Sequence, residues 1–199
     1  MHEQTNPEKS EQKLTKSEEF RMDLFFWLQT FVVVLVVLIL VFTFVGRIIT
    51  VDGPSMLPTL HDKDILILRS IAYSPEQGDV IVLTKDFEYY EDQPIVKRVI
   101  AVEGQTVRID YDNNKVYVDD AVLDEPYILE RMYRPGGDLR IEELEIPEGH
   151  VFVMGDNRNH SDDSRCFGYF EKQDILGEQV LHVPSGKSIF YAIWHKIFG

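Results

Sequence analysis

The sequence has little cysteine and no arrangement of residues that suits a metal ion. Cys166 is the one cysteine among 199 residues, so the chain cannot form an internal disulfide. The six histidines are scattered, with no His-x-x-x-His pair and no Cys/His ligand spacing. We therefore expect no structural zinc, no other metal site and no cofactor.

Positive charge is also scarce. The chain has 20 Lys and Arg residues against 34 Asp and Glu residues, which gives a formal net charge of −14. Binding to nucleic acid needs clustered Lys and Arg, so this balance argues against a nucleic-acid partner. We interpret the acidic residues as a solvated surface that keeps the protein soluble.

One stretch lacks charge altogether. Residues 24–46 form a run of 23 residues without a charged side chain, with Gln29, Thr30 and Thr43 as polar interruptions. As a helix the run would span roughly 34 Å, enough for a hydrocarbon core of about 30 Å. A buried core helix would show a polar face, and a cleavable signal peptide would have a shorter apolar run that ends at small residues. The run therefore predicts an uncleaved transmembrane signal anchor.

The run divides the chain into three parts. Residues 1–23 are polar and predict a short cytoplasmic tail, disordered or partly helical. Residues 24–46 are the anchor, and residues 47–199 form a domain outside the membrane. Four basic residues precede the run, and only Arg47 follows it within about fifteen residues. This bias predicts that the N-terminus is cytoplasmic and that the domain lies on the outer face of the cell membrane.

Residues 47–199 show the pattern of a β domain. Short runs rich in β-branched residues are separated by turn signals, as in Ile65–Leu68, Val80–Leu83 and Ile95–Val102. No long helical period is visible before the C-terminal residues. The pattern predicts a mainly β fold with antiparallel strands.

A small subdomain is predicted within this domain. Arg108–Tyr111 and Lys115–Val118 form a predicted hairpin, with an Asn-Asn pair available for a positive φ at the turn. The stretch from about 104 to 145 is interpreted as an insertion that carries this hairpin. Gly136–Gly137 is interpreted as a flexible loop within it.

The C-terminal segment 188–199 is apolar and aromatic. It is too short to span a bilayer. Docking on the β core and contact with the membrane interface are both compatible with its composition.

The segment 51–60 holds a serine in a stiff frame. Ser55 follows Gly53 and Pro54, and Pro58 comes three residues later. Proline fixes its own φ and restricts the residue before it, so the hydroxyl of Ser55 would be presented in one conformation. A nucleophile needs this, although most serines beside prolines only form turns.

Lys97 lies in the predicted strand Ile95–Val102. Strand alternation predicts that Lys97 shares a face with Val99 and Ala101, and that Ile100 lies on the opposite face. Burial on an apolar face disfavours the ammonium and lowers its pKa, so the neutral amine could act as a general base. The alternative is a lysine at a sheet edge with its amine in water.

A polar loop follows the predicted strand His150–Met154. Residues 155–168 are dense in Asp, Asn, Arg and Ser. Such a loop is either a solvated turn or a hydrogen-bonded support beside a site. The Asp-x-Asp-x-Asp spacing of a calcium loop is absent, so calcium is not predicted.

Four motifs follow the anchor in a fixed order. They are Gly-x-Ser-Met-x-Pro-Thr-Leu at 53–60, Gly-Asp-Val-Ile-Val at 78–82, Lys-Arg-Val-Ile-Ala-Val-x-Gly at 97–104 and Gly-Asp-Asn-Arg-x-x-Ser-x-Asp-Ser-Arg-x-x-Gly at 155–168. Together they resemble the motifs of bacterial type I signal peptidases, Ser–Lys dyad proteases that remove signal peptides from exported preproteins. The compact size and single anchor are similar to the Gram-positive form. The resemblance implies a signal-peptidase/LexA-like antiparallel β fold with a small hairpin insertion.

The resemblance also implies roles for residues near the dyad. Ser55 matches the nucleophile, and Lys97 matches the general base. Ser161 matches a serine whose hydroxyl orients the lysine amine. Asp163 and Arg165 match a supporting pair behind the dyad.

Further residues follow from the same resemblance. Asp156 matches a structural aspartate of the polar loop. The substrate would lie extended along strand edges, with small side chains at −1 and −3 in shallow pockets. Five residues would help to line these pockets: Val51, Met56, Leu60, Ile95 and Val96. The implied partners are exported preproteins with small residues at −3 and −1, membrane lipid and the protein-export machinery.

One position departs from part of the family. Some members carry a hydroxyl residue two positions before the nucleophile, where it donates to the oxyanion. This chain has Gly53 at that position, which has no side-chain donor. The second hydrogen-bond donor to the oxyanion, beside the Ser55 backbone amide, is therefore not identified from the sequence, and a backbone amide is one alternative. Ser55 lies nine positions after Gly46, so the serine is within roughly 30 Å of the end of the anchor.

Two other functions are weighed against this one. A non-catalytic, membrane-tethered homologue that assists assembly would lack the serine or the lysine, and both are present. A specialised Ser–Lys protease for one substrate, such as a pilin, would share the same dyad.

Overall fold

The structure, a computed structural model, describes residues 16–44, 47–84, 93–133 and 143–198. The first fifteen residues of the predicted tail and the predicted Gly136–Gly137 loop lie outside the described residues. The chain separates into two compact units, residues 1–41 and 42–199, and each is described by itself.

The first unit is built on one long helix. Helix α1 runs over Lys16–Phe44, so it begins eight positions before the predicted anchor and takes in the end of the predicted tail. Within its stretch Lys16–Ile39, a window of 18 residues has a mean hydropathy of 2.4 and contains no buried residue. Within the described residues it is the single helix that is long and apolar enough to cross a membrane.

The second unit is mainly antiparallel β structure, as predicted. It contains a short helix α2 (Ser164–Phe167), a 3₁₀ turn (Lys172–Asp174) and helix α3 (Ile189–Phe198). The strands are β1 (Arg47–Thr50), β2 (Ile65–Arg69), β3 (Val80–Leu83), β4 (Ile95–Val102), β5 (Thr106–Asp110), β6 (Lys115–Val118), β7 (Ala121–Val122), β8 (Glu143–Glu145), β9 (His150–Met154), β10 (Phe170–Glu171) and β11 (Ile175–Val183).

These strands form two sheets, and each strand belongs to one of them. The larger sheet has seven strands in the order β1-β2-β11-β3-β4-β9-β10, and the smaller has four in the order β7-β6-β5-β8. All strand pairs are antiparallel. The predicted hairpin is present as β5 and β6, with Asn114 at φ 56° in its turn. The two sheets meet in one buried cluster, which includes Ile100, Val107, Ile109, Val116, Phe152 and Met154.

Strand β4 departs from the predicted alternation beyond Val99. Its pairing with β9 shifts register between Val99 and Ala101, which leaves Ile100 as an extra residue. A bulge of this kind interrupts the two-residue period. Ile100 and Ala101 consequently lie in the same buried cluster, and the prediction that they occupy opposite faces is wrong.

Candidate active site

The segment between β1 and β2 is fixed at both ends by backbone hydrogen bonds. The Val51 amide donates to the Asp64 carbonyl at 2.8 Å, and the Lys63 amide donates to the Val51 carbonyl at 2.9 Å. Met56 and Leu60 are fully buried within the segment. Their burial resists a large shift of the turn, so the backbone at Ser55 has a fixed position.

Ser55 and Lys97 are brought together by this segment and by β4. The Nζ of Lys97 and the Oγ of Ser55 form a hydrogen bond of 2.9 Å. Lys97 is only 3% exposed. Burial lowers the pKa of Lys97 from its ordinary value, Asp163 and Asp162 partly oppose this effect, and Arg165 adds to it. A lysine with a lowered pKa, in contact with a hydroxyl, can accept the hydroxyl proton.

Asp163 organises the polar loop that follows β9. Its Oδ2 accepts hydrogen bonds from Ser161 Oγ at 2.7 Å and from the Gly155 amide at 2.9 Å. Arg165 donates to both oxygens of this carboxylate, from Nε to Oδ1 and from Nη2 to Oδ2, each at 2.8 Å. Burial alone would raise the pKa of Asp163, but the Arg165 guanidinium and the other donors hold it below its ordinary value. The aspartate is therefore a fixed negative charge near Lys97.

The loop approaches the serine so closely that one residue must be glycine. A Cβ on Gly155 would lie 2.3 Å from Ser161 Oγ and 2.5 Å from the Ser55 carbonyl oxygen. Asn157 clamps the same segment, because its amide donates to the Ser55 carbonyl at 3.0 Å and its Nδ2 donates to the Pro54 carbonyl at 3.1 Å. The loop thus holds the backbone of the serine segment at Pro54 and Ser55.

Asp156 lies on the opposite side of β4 from Lys97. It accepts a bidentate ion pair from Arg98, with Nε–Oδ1 at 2.8 Å and Nη2–Oδ2 at 2.7 Å. Thr59 also donates to its Oδ2. The carboxylate therefore ties together the polar loop, β4 and the serine segment.

A small cavity of about 160 Å³ adjoins the dyad on one side. Val51, Met56, Ile95 and Val96 line it together with Ser55 and Lys97. Leu60, the fifth residue predicted for the pocket, is fully buried in the cluster that contains Val51, Met56 and Val96, and it is not part of the lining.

A larger and more polar cavity adjoins the dyad as well. It measures about 510 Å³ and also contains Ser55 and Lys97. Asp52, His160 and Asp162 contribute its ionisable side chains. The dyad thus lies where an apolar recess and a polar recess meet.

The sequence profile described as "Signal peptidase, peptidase S26" matches residues 24–183. The chain belongs to this family. It is 39% identical over 153 residues to "Probable signal peptidase I-1" of Synechocystis sp., with 73% of this chain and 74% of the relative covered. It is 33% identical over 175 residues to "Signal peptidase I S" of Bacillus subtilis, with 83% and 88% covered. A crystal structure of a signal peptidase I from Enterococcus faecalis V583 is 28% identical, covers 54% of this chain and 98% of that chain, and has a TM-score of 0.43.

Membership of the signal peptidase family confirms the resemblance stated from the four motifs. The structure also contains support that the motifs did not reveal. Asn157 acts through its backbone amide as much as through its side chain, and no sequence pattern reports that. Arg158 and Glu125 form a buried ion pair, with side chains 0% and 6% exposed. Arg158 also donates to the Gly155 carbonyl at 3.1 Å, so this pair braces the glycine.

Proposed function

We propose that this signal peptidase hydrolyses the peptide bond with Ser55 as nucleophile and Lys97 as general base. The observation that carries the proposal is the 2.9 Å contact between Lys97 Nζ and Ser55 Oγ at a buried lysine. A Ser–Lys pair is a known variant of the triad arrangement, in which the lysine does the work of the histidine.

The chemistry proceeds by acyl transfer in two steps. The neutral amine of Lys97 accepts the Ser55 proton while Oγ forms a bond to the scissile carbonyl carbon. The ammonium then returns the proton to the departing amine, the C–N bond breaks, and an ester to Ser55 remains. In the second step Lys97 takes a proton from water, the hydroxide oxygen attacks the ester, and Ser55 recovers its proton as it leaves.

The oxyanion needs donors that are aimed at the developing charge. The backbone amide of Ser55 is the first donor in this proposal. Gly53 has no side-chain donor, and its amide already donates to Asp62 Oδ1 at 3.1 Å. A further donor therefore comes from a group other than Gly53.

The two cavities divide the substrate between them. The recess of about 160 Å³ suits small side chains, so we assign it to the −1 and −3 residues of the preprotein. The polar recess receives the residues after the cleaved bond. Ser161, Asp163, Arg165 and Asp156 are positioning residues. Ser161 and Arg165 donate to Asp163 within the polar loop, and Asp156 ties this loop to β4 and to the serine segment.

The proposed topology places the N-terminus in the cytoplasm and residues 47–199 on the outer face of the cell membrane. The basic residues before the apolar run support this orientation. The short link between residues 46 and 55 would keep Ser55 close to the membrane, where an exported preprotein presents its cleavage site. The protein-export machinery would deliver such substrates.

The test is cleavage of a preprotein with Ala-x-Ala before its junction by the full-length chain in detergent. Lys97→Ala should lower kcat/KM by about 100- to 10,000-fold, because it removes the general base. Ser55→Ala should abolish cleavage, because without the Ser55 hydroxyl no ester can form. Lys115→Ala, at an exposed strand position, is the matched control and should cleave at the wild-type rate. A folded Lys97→Ala variant with wild-type activity would refute the assignment of the base.

A further inference from the structure

Helix α3 presents a continuous apolar face to the outside of the domain. Its members recur at i, i+3, i+4, i+7 and i+8, the spacing that places residues on one side of a helix. Their exposure ranges from 42% at Ile193 to 82% at Phe190. We call this surface the α3 apolar face, and it consists of Phe190, Ile193, Trp194, Ile197 and Phe198.

The other side of α3 is already attached to the domain. Ala192 is 5% exposed, and Lys196 donates a hydrogen bond from Nζ to the Val180 carbonyl of β11. Tyr191 and His195 line the groove between the helix and β11. Docking through this side holds the helix in place and leaves the α3 apolar face outward.

The surrounding segment also differs in charge from the rest of the protein. Residues 179–198 contain no Asp or Glu, although the whole chain has a net charge of −14. The segment carries Lys187 and Lys196, and Lys187 Nζ lies 5.1 Å from the centroid of the Tyr191 ring. A partner surface with negative charge would therefore repel most of the domain and attract this segment.

We propose that α3 lies in the interface of the lipid bilayer, with the α3 apolar face at the boundary between headgroups and acyl chains. Ten residues of helix span about 15 Å, which is too short to cross a bilayer but suits a helix that lies along it. Trp and Tyr concentrate at this depth because their rings have an apolar body and a polar edge. Helix α1 is long and apolar enough to keep the chain at a membrane, so a bilayer is present at high effective concentration.

The inference goes beyond the proposed peptidase chemistry, because it concerns how the domain meets the membrane. Its experiment reads fluorescence and does not depend on catalysis. The chain has two tryptophans, Trp27 in α1 and Trp194 in α3. Trp27→Phe makes Trp194 the sole reporter in the full-length protein.

The variant is reconstituted into vesicles of phosphatidylcholine and phosphatidylglycerol whose acyl chains are brominated near the headgroup. If α3 lies in the interface, brominated lipid quenches Trp194, its emission shifts to shorter wavelength, and aqueous acrylamide quenches it weakly. Replacement of Phe190, Ile197 and Phe198 by Gln in the same background should reduce the lipid quenching, because it removes most of the apolar face.

The matched control moves the reporter to another exposed aromatic position. Tyr133 is 68% exposed and Trp194 is 66% exposed, so Trp27→Phe, Trp194→Phe, Tyr133→Trp compares two similar surface sites. This reporter should respond to acrylamide and not to brominated lipid. Equal lipid quenching at both sites would overturn the proposal, as would strong acrylamide quenching of Trp194. Protection of Trp194 from both quenchers would also overturn it, because protein, such as a second copy of the chain, would then cover the face.

Discussion

Lys97 is only 3% exposed to solvent, and its burial and the charged groups around it determine the pKa of its amine. Burial is the largest influence on its pKa and lowers it. Asp163 and Asp162 favour the ammonium and oppose that effect, while Arg165 disfavours the ammonium. The pKa of Lys97 is therefore set by a balance between lost hydration and nearby charges.

This balance predicts a pH dependence. Activity requires the neutral amine, so kcat/KM falls as the pH drops through the pKa of Lys97, which lies below the ordinary lysine value. Asp162→Asn removes a carboxylate that favours the ammonium, so the acidic limb of the pH–rate profile should move to lower pH. Preprotein cleavage by the full-length chain across a pH series measures the shift.

Asp120→Asn is the control for this prediction. Asp120 is also exposed, lies in the turn before β7, and does not contribute to the Lys97 pKa. Its φ of 63° is one that Asn tolerates. An acidic limb that stays in place in Asp162→Asn, or that moves equally in both variants, would contradict the electrostatic explanation.

At the same scale, the sequence motifs singled out the two side chains that the structure brings into contact, Ser55 and Lys97, but not all of the residues around them. Ser55 and Lys97 could be predicted because the motifs carry side chains with chemistry of their own. The contacts of Asn157 with the serine segment could not be predicted, because one of its two hydrogen bonds is donated by the backbone amide, which every residue except proline has. The Arg158–Glu125 pair joins residues from separate segments, and only the folded chain shows that they meet.

At the scale of elements, the polar loop and the serine segment behave as one unit. Gly155 is the point of closest approach, and a methyl group there would overlap both Ser161 Oγ and the Ser55 carbonyl. Neither of these atoms is the end of a long flexible side chain. A larger residue must therefore separate the loop from the serine segment, which changes the position of Ser55 relative to Lys97.

Gly155→Ala should lower kcat/KM by about 100-fold, because misplacement of a reacting group by about 1 Å has effects of this size. The overpacking should cost about 1–3 kcal/mol of stability, so the domain still folds. Kinetics of preprotein cleavage and thermal unfolding followed by circular dichroism measure the two effects.

Gly186→Ala supplies the comparison. Gly186 has a φ of 77° and no heavy atom near the position of an added Cβ, so Ala causes backbone strain there without a clash. It should lose some stability and keep the wild-type kcat/KM. Unchanged activity in Gly155→Ala would mean that the loop does not position the dyad.

At the scale of the whole molecule, the chain combines an apolar helix with an acidic β domain. The mainly antiparallel fold could be predicted because alternating β-branched runs report strands directly. The bulge at Ile100 could not, because a bulge depends on the pairing with β9 and leaves no local signal in β4. The prediction that Leu60 lines the small cavity failed for a similar reason. A leucine in a turn can line a cavity or pack in the core beside it, and the sequence does not distinguish the two.

The proposed orientation can be tested with the one native cysteine. Cys166 is exposed within the β domain, so a membrane-impermeant maleimide should label it on intact cells. Partial burial raises the pKa of its thiol, with a further contribution from Asp163, so labelling should be faster at alkaline pH. Mass spectrometry of the purified chain measures the modified fraction.

Two variants complete this measurement. Cys166→Ser should remain unlabelled, and addition of Ser10→Cys to it should give labelling only after the membrane is permeabilised. If Cys166 is labelled only after permeabilisation, the β domain lies inside the cell and the proposed topology is wrong.

The register of β4 also has a consequence for the fidelity of folding. Lys97 and Arg98 are neighbours on opposite faces, and pairing of Lys97 with Ile81 and of Arg98 with Met154 fixes which of them reaches Ser55. A slip of one residue would turn every side chain of the strand to the other face. A slip in one direction would place Arg98 at Ser55, and its guanidinium stays protonated and cannot accept a proton. A slip in the other direction would place Val96 there, which has no proton acceptor in its side chain. A single pairing error in one strand would thus yield a compact protein without a base.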